Sequence, residues 1–113
     1  MKDNLIVNMT YQFALDVMAV AKTIRERKEF DLASQFWRAG TSIGANVEEG
    51  QAAQSRADFR SKMSIASKEA REAHYWLRLD RDSSILNQSE SAPLLEQIES
   101  IRKILTAIVK STD

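Results

Sequence analysis

The chain shows its architecture most plainly in the stretch SRADFRSKMSIASKEAREAHYWLRL, which runs from Ser55 to Leu79. Ser55 is a favourable N-cap residue, and Asp58 stands where its carboxylate can reach back in the manner of a capping box. The apolar residues that follow recur at alternating steps of four and three, which places them on one face of an α-helix as a narrow seam. The seam comprises Phe59, Met63, Ala66, Ala70, Ala73 and Leu77.

The same helical spacing of apolar residues recurs on both sides of this stretch. Four amphipathic helices with short or moderate connections predict antiparallel neighbours. We therefore expect one all-α domain over residues 1–113, folded as an antiparallel up-down-up-down four-helix bundle. The predicted helices cover approximately residues 9–27, 32–51, 56–79 and 91–110.

The ends of these helices are predicted from capping residues. Asn8 or Thr10 is expected to cap the first helix and Asp31 the second, because short polar side chains accept hydrogen bonds from free backbone N–H groups. Residues 80–92 are expected to form a connection, since they are rich in Asp, Ser and Asn. Pro93 is expected in the first turn of the fourth helix, where its missing N–H is not needed.

Composition narrows the function classes. The chain carries 16 basic and 16 acidic side chains, whereas a dedicated nucleic-acid binder usually shows a basic excess. It has no cysteine, hence no disulfide or thiolate metal site, which suits a reducing cytoplasm. The N-terminal apolar run Leu5-Ile6-Val7 is too short for a signal peptide, and no stretch approaches the ~20 apolar residues of a membrane span. We expect a cytoplasmic protein without membrane association.

Catalytic and metal-binding patterns are missing from the sequence. Di-iron bundles place Glu-x-x-His on their helices, but Glu72 lies two residues before His74 and Arg71 occupies the position three before it. Side chains two residues apart on a helix point to different faces. No cysteine is available as a nucleophile, and no Gly-rich phosphate loop follows a strand pattern. We expect no catalytic residue, no metal and no cofactor.

Gly40 and Gly44 lie one turn apart inside the second predicted helix. A helical glycine costs about 1 kcal/mol relative to alanine, so two of them need a reason. Close approach of another helix is the favoured interpretation, and backbone contact with a ligand is the alternative. Asn46, beside the apolar seam, is expected to fix register through a hydrogen bond, and Glu49 to pair with an arginine of another helix. The predicted helix-packing motif comprises Gly40, Ser42, Gly44, Asn46 and Glu49.

Some large apolar residues lie beside the seams. They either widen the core or form a subunit interface, and the residues alone leave both interpretations open. Trp76, Ile65 and Tyr11 are the interface candidates.

Residues 55–82 form the one mildly basic segment, with 7 basic and 5 acidic side chains. A solvated helix face is the favoured interpretation of such a segment. Should the chain bind nucleic acid, the contacts are expected from this segment, without forming one stripe. The candidate residues are Arg56, Arg60, Lys62, Lys68, Arg71 and Arg78.

Two joined motifs carry a family resemblance. RAGTSIGANVEEG at residues 38–50 and QSRADFRSKMSIASKEAREAHYWLRL at residues 54–79 resemble a bacterial four-helix-bundle family. That family includes the proteins encoded by intervening sequences of 23S ribosomal RNA genes. The similarity covers roughly residues 10–110 and is strongest in the second and third predicted helices.

The resemblance implies an up-down four-helix bundle, a ring-shaped homopentamer and no catalytic activity. It also implies a relation to the accessory variability protein of diversity-generating retroelements, which binds nucleic acid and a reverse transcriptase. That relative is basic, whereas this chain has zero net charge. Two hypotheses follow: an oligomeric scaffold or adaptor without enzymatic activity, or an accessory protein that binds RNA or DNA weakly.

Overall fold

In a computed structural model, the described residues 4–112 form four α-helices. Each helix packs against two of the others, with α1 beside α2 and α4, and α3 beside α2 and α4. The prediction of an all-α four-helix bundle is confirmed. The helices are α1 (Leu5–Glu26), α2 (Phe30–Gln51), α3 (Arg56–Asp82) and α4 (Gln88–Ser111).

The core lies along the axis of the bundle and follows the predicted 4-3 spacing. In α3 the seam residues from Met63 to Leu77 are fully buried, while Phe59 in the first turn is only half-buried. Leu86, in the connection between α3 and α4, is 1% exposed and closes one end of the core. None of the described helices is long and apolar enough to span a membrane.

The starts of α1 and α2 differ from the predicted ones. Asn4 occupies the N-cap position of α1, so the helix begins before both predicted caps. Thr10 is fully buried and its Oγ1 donates to the carbonyl of Ile6 at 2.8 Å, as an interior helical threonine does. Glu29 occupies the N-cap position of α2, and Asp31 lies in the first turn, where a carboxylate still complements the helix dipole.

At the N-terminus of α3 the predicted cap residue is correct, and the contact of Asp58 differs by one residue from the predicted one. Ser55 Oγ accepts the N–H of Asp58 at 3.0 Å, as expected of an N-cap. The Asp58 carboxylate reaches back to the N–H of Gln54 at 3.2 Å, one residue beyond the group that a capping box uses.

The start of α4 is set by a reciprocal capping box. Asn87 Oδ1 accepts the N–H of Glu90 at 2.9 Å, and the Glu90 carboxylate accepts the N–H of Asn87 at 2.9 Å. Because this box begins the helix at Gln88, Pro93 falls in the second turn and the first-turn prediction was wrong. Arg27 completes this end of the bundle, since its guanidinium donates to the carbonyl of Ile85 and forms a salt bridge with Glu90 at 2.8 Å.

Candidate functional surfaces

The glycine pair of α2 lies against α1. A Cβ on Gly40 would stand 2.6 Å from Val17 Cγ2, and a Cβ on Gly44 would stand 3.2 Å from the carbonyl oxygen of Thr10. Both glycines are buried. The first distance is far inside van der Waals contact, so the helices could not keep this separation with any larger residue at position 40.

The polar residues of the motif make local contacts. Ser42 Oγ donates to the carbonyl of Arg38, and Asn46 Nδ2 donates to the carbonyl of Ser42 at 2.9 Å. The hydrogen bond of Asn46 therefore stays within α2 rather than crossing to another helix. Among the described residues Glu49 pairs with Lys62 of α3 at 3.8 Å, a lysine where an arginine was expected. An exposed pair at this distance stabilises the bundle little.

An apolar groove runs along the outer surface between α1 and α2. Tyr11 is 61% exposed and Leu15 is 45% exposed. At Thr41 the groove meets a second depression that contains Trp37. We call it the α1–α2 groove; its lining residues are Tyr11, Ala14, Leu15, Met18, Thr41, Gly44, Ala45 and Glu48.

The other two interface candidates lie on α3. Ile65 is 38% exposed, whereas Trp76 is half-buried and packs on the core. The Trp76 Nε1–H donates to Glu72 Oε1 at 3.2 Å, and the same carboxylate pairs with Arg38 of α2. The hydrogen bond from the Arg38 guanidinium holds the pKa of Glu72 below its usual range. Trp76 thus contributes to both the core and a polar link between α2 and α3.

The basic candidates fall into two groups. Lys62 pairs across to α2, and Lys68 stands outside the flank of α3 that faces α4. The four arginines lie 4, 11 and 7 residues apart on one uninterrupted helix, spacings that return to the same face. Lys62 and Lys68 lie off this face, so the six candidates as a set do not form one stripe. The residues that do share the face are Arg56, Arg60, Arg71 and Arg78.

Helix α4 adds cations beside this arginine stripe. Arg56 donates to the carbonyl of Ser111 at 3.1 Å, and His74 Nε2 lies 3.4 Å from Glu99, so the stripe faces α4. A shallow depression on α4 is lined by Glu99, Arg102, Lys103, Thr106, Ala107 and Lys110. Sequence reasoning missed these α4 residues because it considered charge by segment and did not pair segments in space.

Asp80 is a buried residue that sequence reasoning placed in a connection. It lies in the last turn of α3, is 0% exposed, and neither carboxylate oxygen has a hydrogen-bond partner among residues 4–112. Burial, with a smaller contribution from Glu29, raises its pKa to about 7. Its backbone carbonyl accepts the N–H of Leu86 at 2.9 Å, which ties the α3–α4 connection to the end of α3.

Within residues 4–112, no three His, Asp or Glu side chains come together in a way that could hold a metal ion. His74 faces Glu99 alone, at the edge of the basic surface. Burial and the neighbouring Arg102 and Arg78 lower the pKa of His74.

Comparisons with known proteins agree with this geometry. A solved structure from Bacteroides thetaiotaomicron, a protein of unknown function from the S23 ribosomal protein family, is 38% identical to this chain. The alignment covers 93% of this chain and 98% of that one, with a TM-score of 0.89. No curated protein matches the chain. The relation to the accessory variability protein of retroelements stays a prediction. The family model described as 23S rRNA-intervening sequence protein matches residues 2–107, and the chain belongs to that family.

Proposed function

We propose that the chain is a non-enzymatic scaffold that assembles with further copies of itself through the α1–α2 groove. The observation that carries this proposal is the exposure of Tyr11 and Leu15 beside the small residues Gly44 and Ala45. Contiguous apolar surface on a small protein usually marks an interaction site. The exposed ring of Tyr11 projects beside the small residues Gly44 and Ala45, so one surface offers both a projecting side chain and a recess that could receive one.

The energetics favour an interface of several large residues. Burying one exposed aromatic or aliphatic side chain contributes up to about 1.5–3 kcal/mol. Association costs roughly 4–15 kcal/mol in lost translational and rotational freedom, so one residue is not enough. Tyr11, Leu15 and Trp37 lie along one groove system and are 61%, 45% and 38% exposed, so they supply part of the gain and the opposite surface must supply the rest.

A closed ring needs a second, different surface on each copy. The outer flank of α3 supplies exposed Ile65 and Leu79, each 38% exposed, next to half-buried Trp76. We propose that this flank meets the α1–α2 groove of the neighbouring copy. The number of copies, five, is taken from the family resemblance.

The chemistry of the buried groups supports a role without catalysis. Asp80 is the described carboxyl with a strongly raised pKa, and raised pKa values are typical of catalytic acids. It is 0% exposed, so its carboxylate does not reach solvent or a substrate in this conformation.

The test compares two exposed positions with the same new charge. Leu15→Glu places a carboxylate in the groove, and Ala107→Glu places one on α4, away from it. In sedimentation velocity we expect Leu15→Glu to sediment as a smaller species and Ala107→Glu to keep the wild-type value. Circular dichroism checks that both variants are folded. Wild-type sedimentation of folded Leu15→Glu would contradict the role of the groove.

A further inference from the structure

We propose that the surface formed by α3 and α4 binds the phosphate backbone of duplex nucleic acid. We call this surface the basic face. The inference goes beyond the scaffold function and does not rest on it. The basic face comprises Arg56, Arg60, Arg71 and Arg78 of α3 and Arg102, Lys103 and Lys110 of α4.

The geometry of α3 aligns its four arginines. At 3.6 residues per turn, their positions fall within about 60° of one another around the helix. From Arg56 to Arg78 the stripe is about 33 Å long, since each residue advances the helix by 1.5 Å. That length is close to one turn of a nucleic-acid duplex, about 34 Å.

The antiparallel packing of α4 places its cations alongside the stripe. The contact between Arg56 and Ser111 fixes one end of the pair, and the contact between His74 and Glu99 fixes the middle. Arg102 and Lys103 therefore lie level with the Arg71 region, and Lys110 lies near the start of α3. The basic face is two helices wide rather than a single row.

The charge of the basic face is compensated in part. Glu99 pairs with Arg102 at 2.6 Å and faces His74, and the Asp82 carboxylate, whose pKa is lowered by Arg81 and Arg78, lies near the end of the stripe. Within residues 4–112, Arg71, Lys103 and Lys110 take part in no ion pair. Because the whole chain has zero formal net charge, this surface represents a separation of charge and not a general basic excess.

The His74 side chain lies between α3 and α4, within the field of the same cations. Its pKa is lowered first by burial and then by Arg102 and Arg78, against the opposite influence of Glu99. A positive charge on the imidazole is therefore disfavoured at this point of the surface.

The shape of the basic face favours a polyanion with regularly spaced charges. Its cations are spread along two helices, and the depression among the cations of α4 is shallow and open to solvent. Cations on such a surface contact phosphates and carry no base sequence information, so binding should depend weakly on sequence. Single-strand binding uses exposed aromatic platforms. Tyr75 is 48% exposed beside the stripe and contacts Trp76 and Arg78, but one ring is a smaller platform than the successive bases of a single strand use, so a duplex fits better.

The experiment measures fluorescence anisotropy with duplex RNA and duplex DNA of one sequence, each about 20 base pairs, at about 50 and 200 mM salt. The test variant is Arg71→Gln/Lys103→Gln. The matched control is Lys28→Gln/Lys62→Gln, which removes the same charge away from the basic face. Light scattering confirms that both variants keep the wild-type mass, so loss of binding is not confused with loss of assembly.

We expect wild-type binding at low salt that weakens at least tenfold at the higher salt. The test variant should lose about tenfold in affinity and reduce the salt slope by roughly one for each phosphate contact removed. The control should stay within about threefold of wild type. If duplex RNA binds more tightly than duplex DNA, RNA is the preferred ligand. If the two bind equally, the protein recognises the phosphate backbone that both duplexes share. Equal losses in both variants, absence of binding at low salt, or binding of an acidic polypeptide in place of both duplexes would overturn the proposal.

Discussion

Val17 of α1 stands so close to Gly40 of α2 that a Cβ on the glycine would lie 2.6 Å from Val17 Cγ2 and 2.7 Å from Cγ1. The valine methyl groups occupy the volume that a side chain at position 40 would need. Val17 is itself fully buried, so it cannot rotate into solvent to make room. This contact sets the separation of α1 and α2.

We predict that Gly40→Leu lowers the free energy of unfolding by about 1–3 kcal/mol or more, because overpacking a tight contact forces backbone movement. Urea unfolding followed by circular dichroism measures the change. The double variant Val17→Ala/Gly40→Ala should be more stable than Val17→Ala alone, because the cavity accepts the new methyl group and alanine favours helix by about 1 kcal/mol. An unchanged midpoint of urea unfolding for Gly40→Leu would contradict close packing here.

Asp80 predicts an unusual dependence of stability on pH. Its folded pKa of about 7 lies above the ordinary value of 3.8, so the folded chain binds a proton that the unfolded chain releases. Stability should therefore fall as pH rises from about 4 to 7, with a slope of up to about 1.4 kcal/mol per pH unit. Glu72 and Glu90 have lowered pKa values and act in the opposite direction at acid pH.

The variant Asp80→Asn isolates this contribution, because it keeps the shape and cannot titrate. The difference in unfolding free energy between Asp80→Asn and wild type should grow as pH rises through this window. Denaturant unfolding at several pH values gives the two curves. Parallel curves would show that Asp80 does not titrate as its burial indicates.

Removal of the capping box should destabilise α4. Asn87→Ala loses the acceptor for the N–H of Glu90 and should lower the free energy of unfolding by about 0.5–2 kcal/mol. Asn87→Asp keeps the acceptor and adds a favourable charge at the helix N-terminus, so it should retain most of the stability. Thermal melts of the three proteins test this, and equal melting temperatures for the alanine and wild-type chains would refute it.

The sequence predicts the fold well where burial controls the pattern. Met63 to Leu77 keep the 4-3 rhythm because each packs on the axis of the bundle, and they are fully buried. Helix ends are harder to predict, since α1 begins at the exposed Leu5 and its N-cap Asn4 makes no side-chain capping bond. Ile6 is buried in this turn, but the polar residues Asn8 and Thr10 that follow it favoured a later start of the helix.

Asp80 and the basic face show two other features that were not predicted from the sequence. The 4-3 spacing of Ala73 and Leu77 continues to position 80, which places Asp80 on the core face of the helix. A polar residue at that position instead favoured the interpretation that the helix ends there. The arginine spacing in α3 was available from the sequence. The contribution of Lys103 and Lys110 required the register of α4 against α3, which only the packing provides.

The assembly of the chain is the central claim, and light scattering coupled to size exclusion tests it most directly. At tens of micromolar we predict a single species several times heavier than the 12.8 kDa chain, with five copies as the expected number. A dimer would leave an interface in place and remove the ring. A mass of 12.8 kDa over the whole concentration range would contradict self-association through the α1–α2 groove.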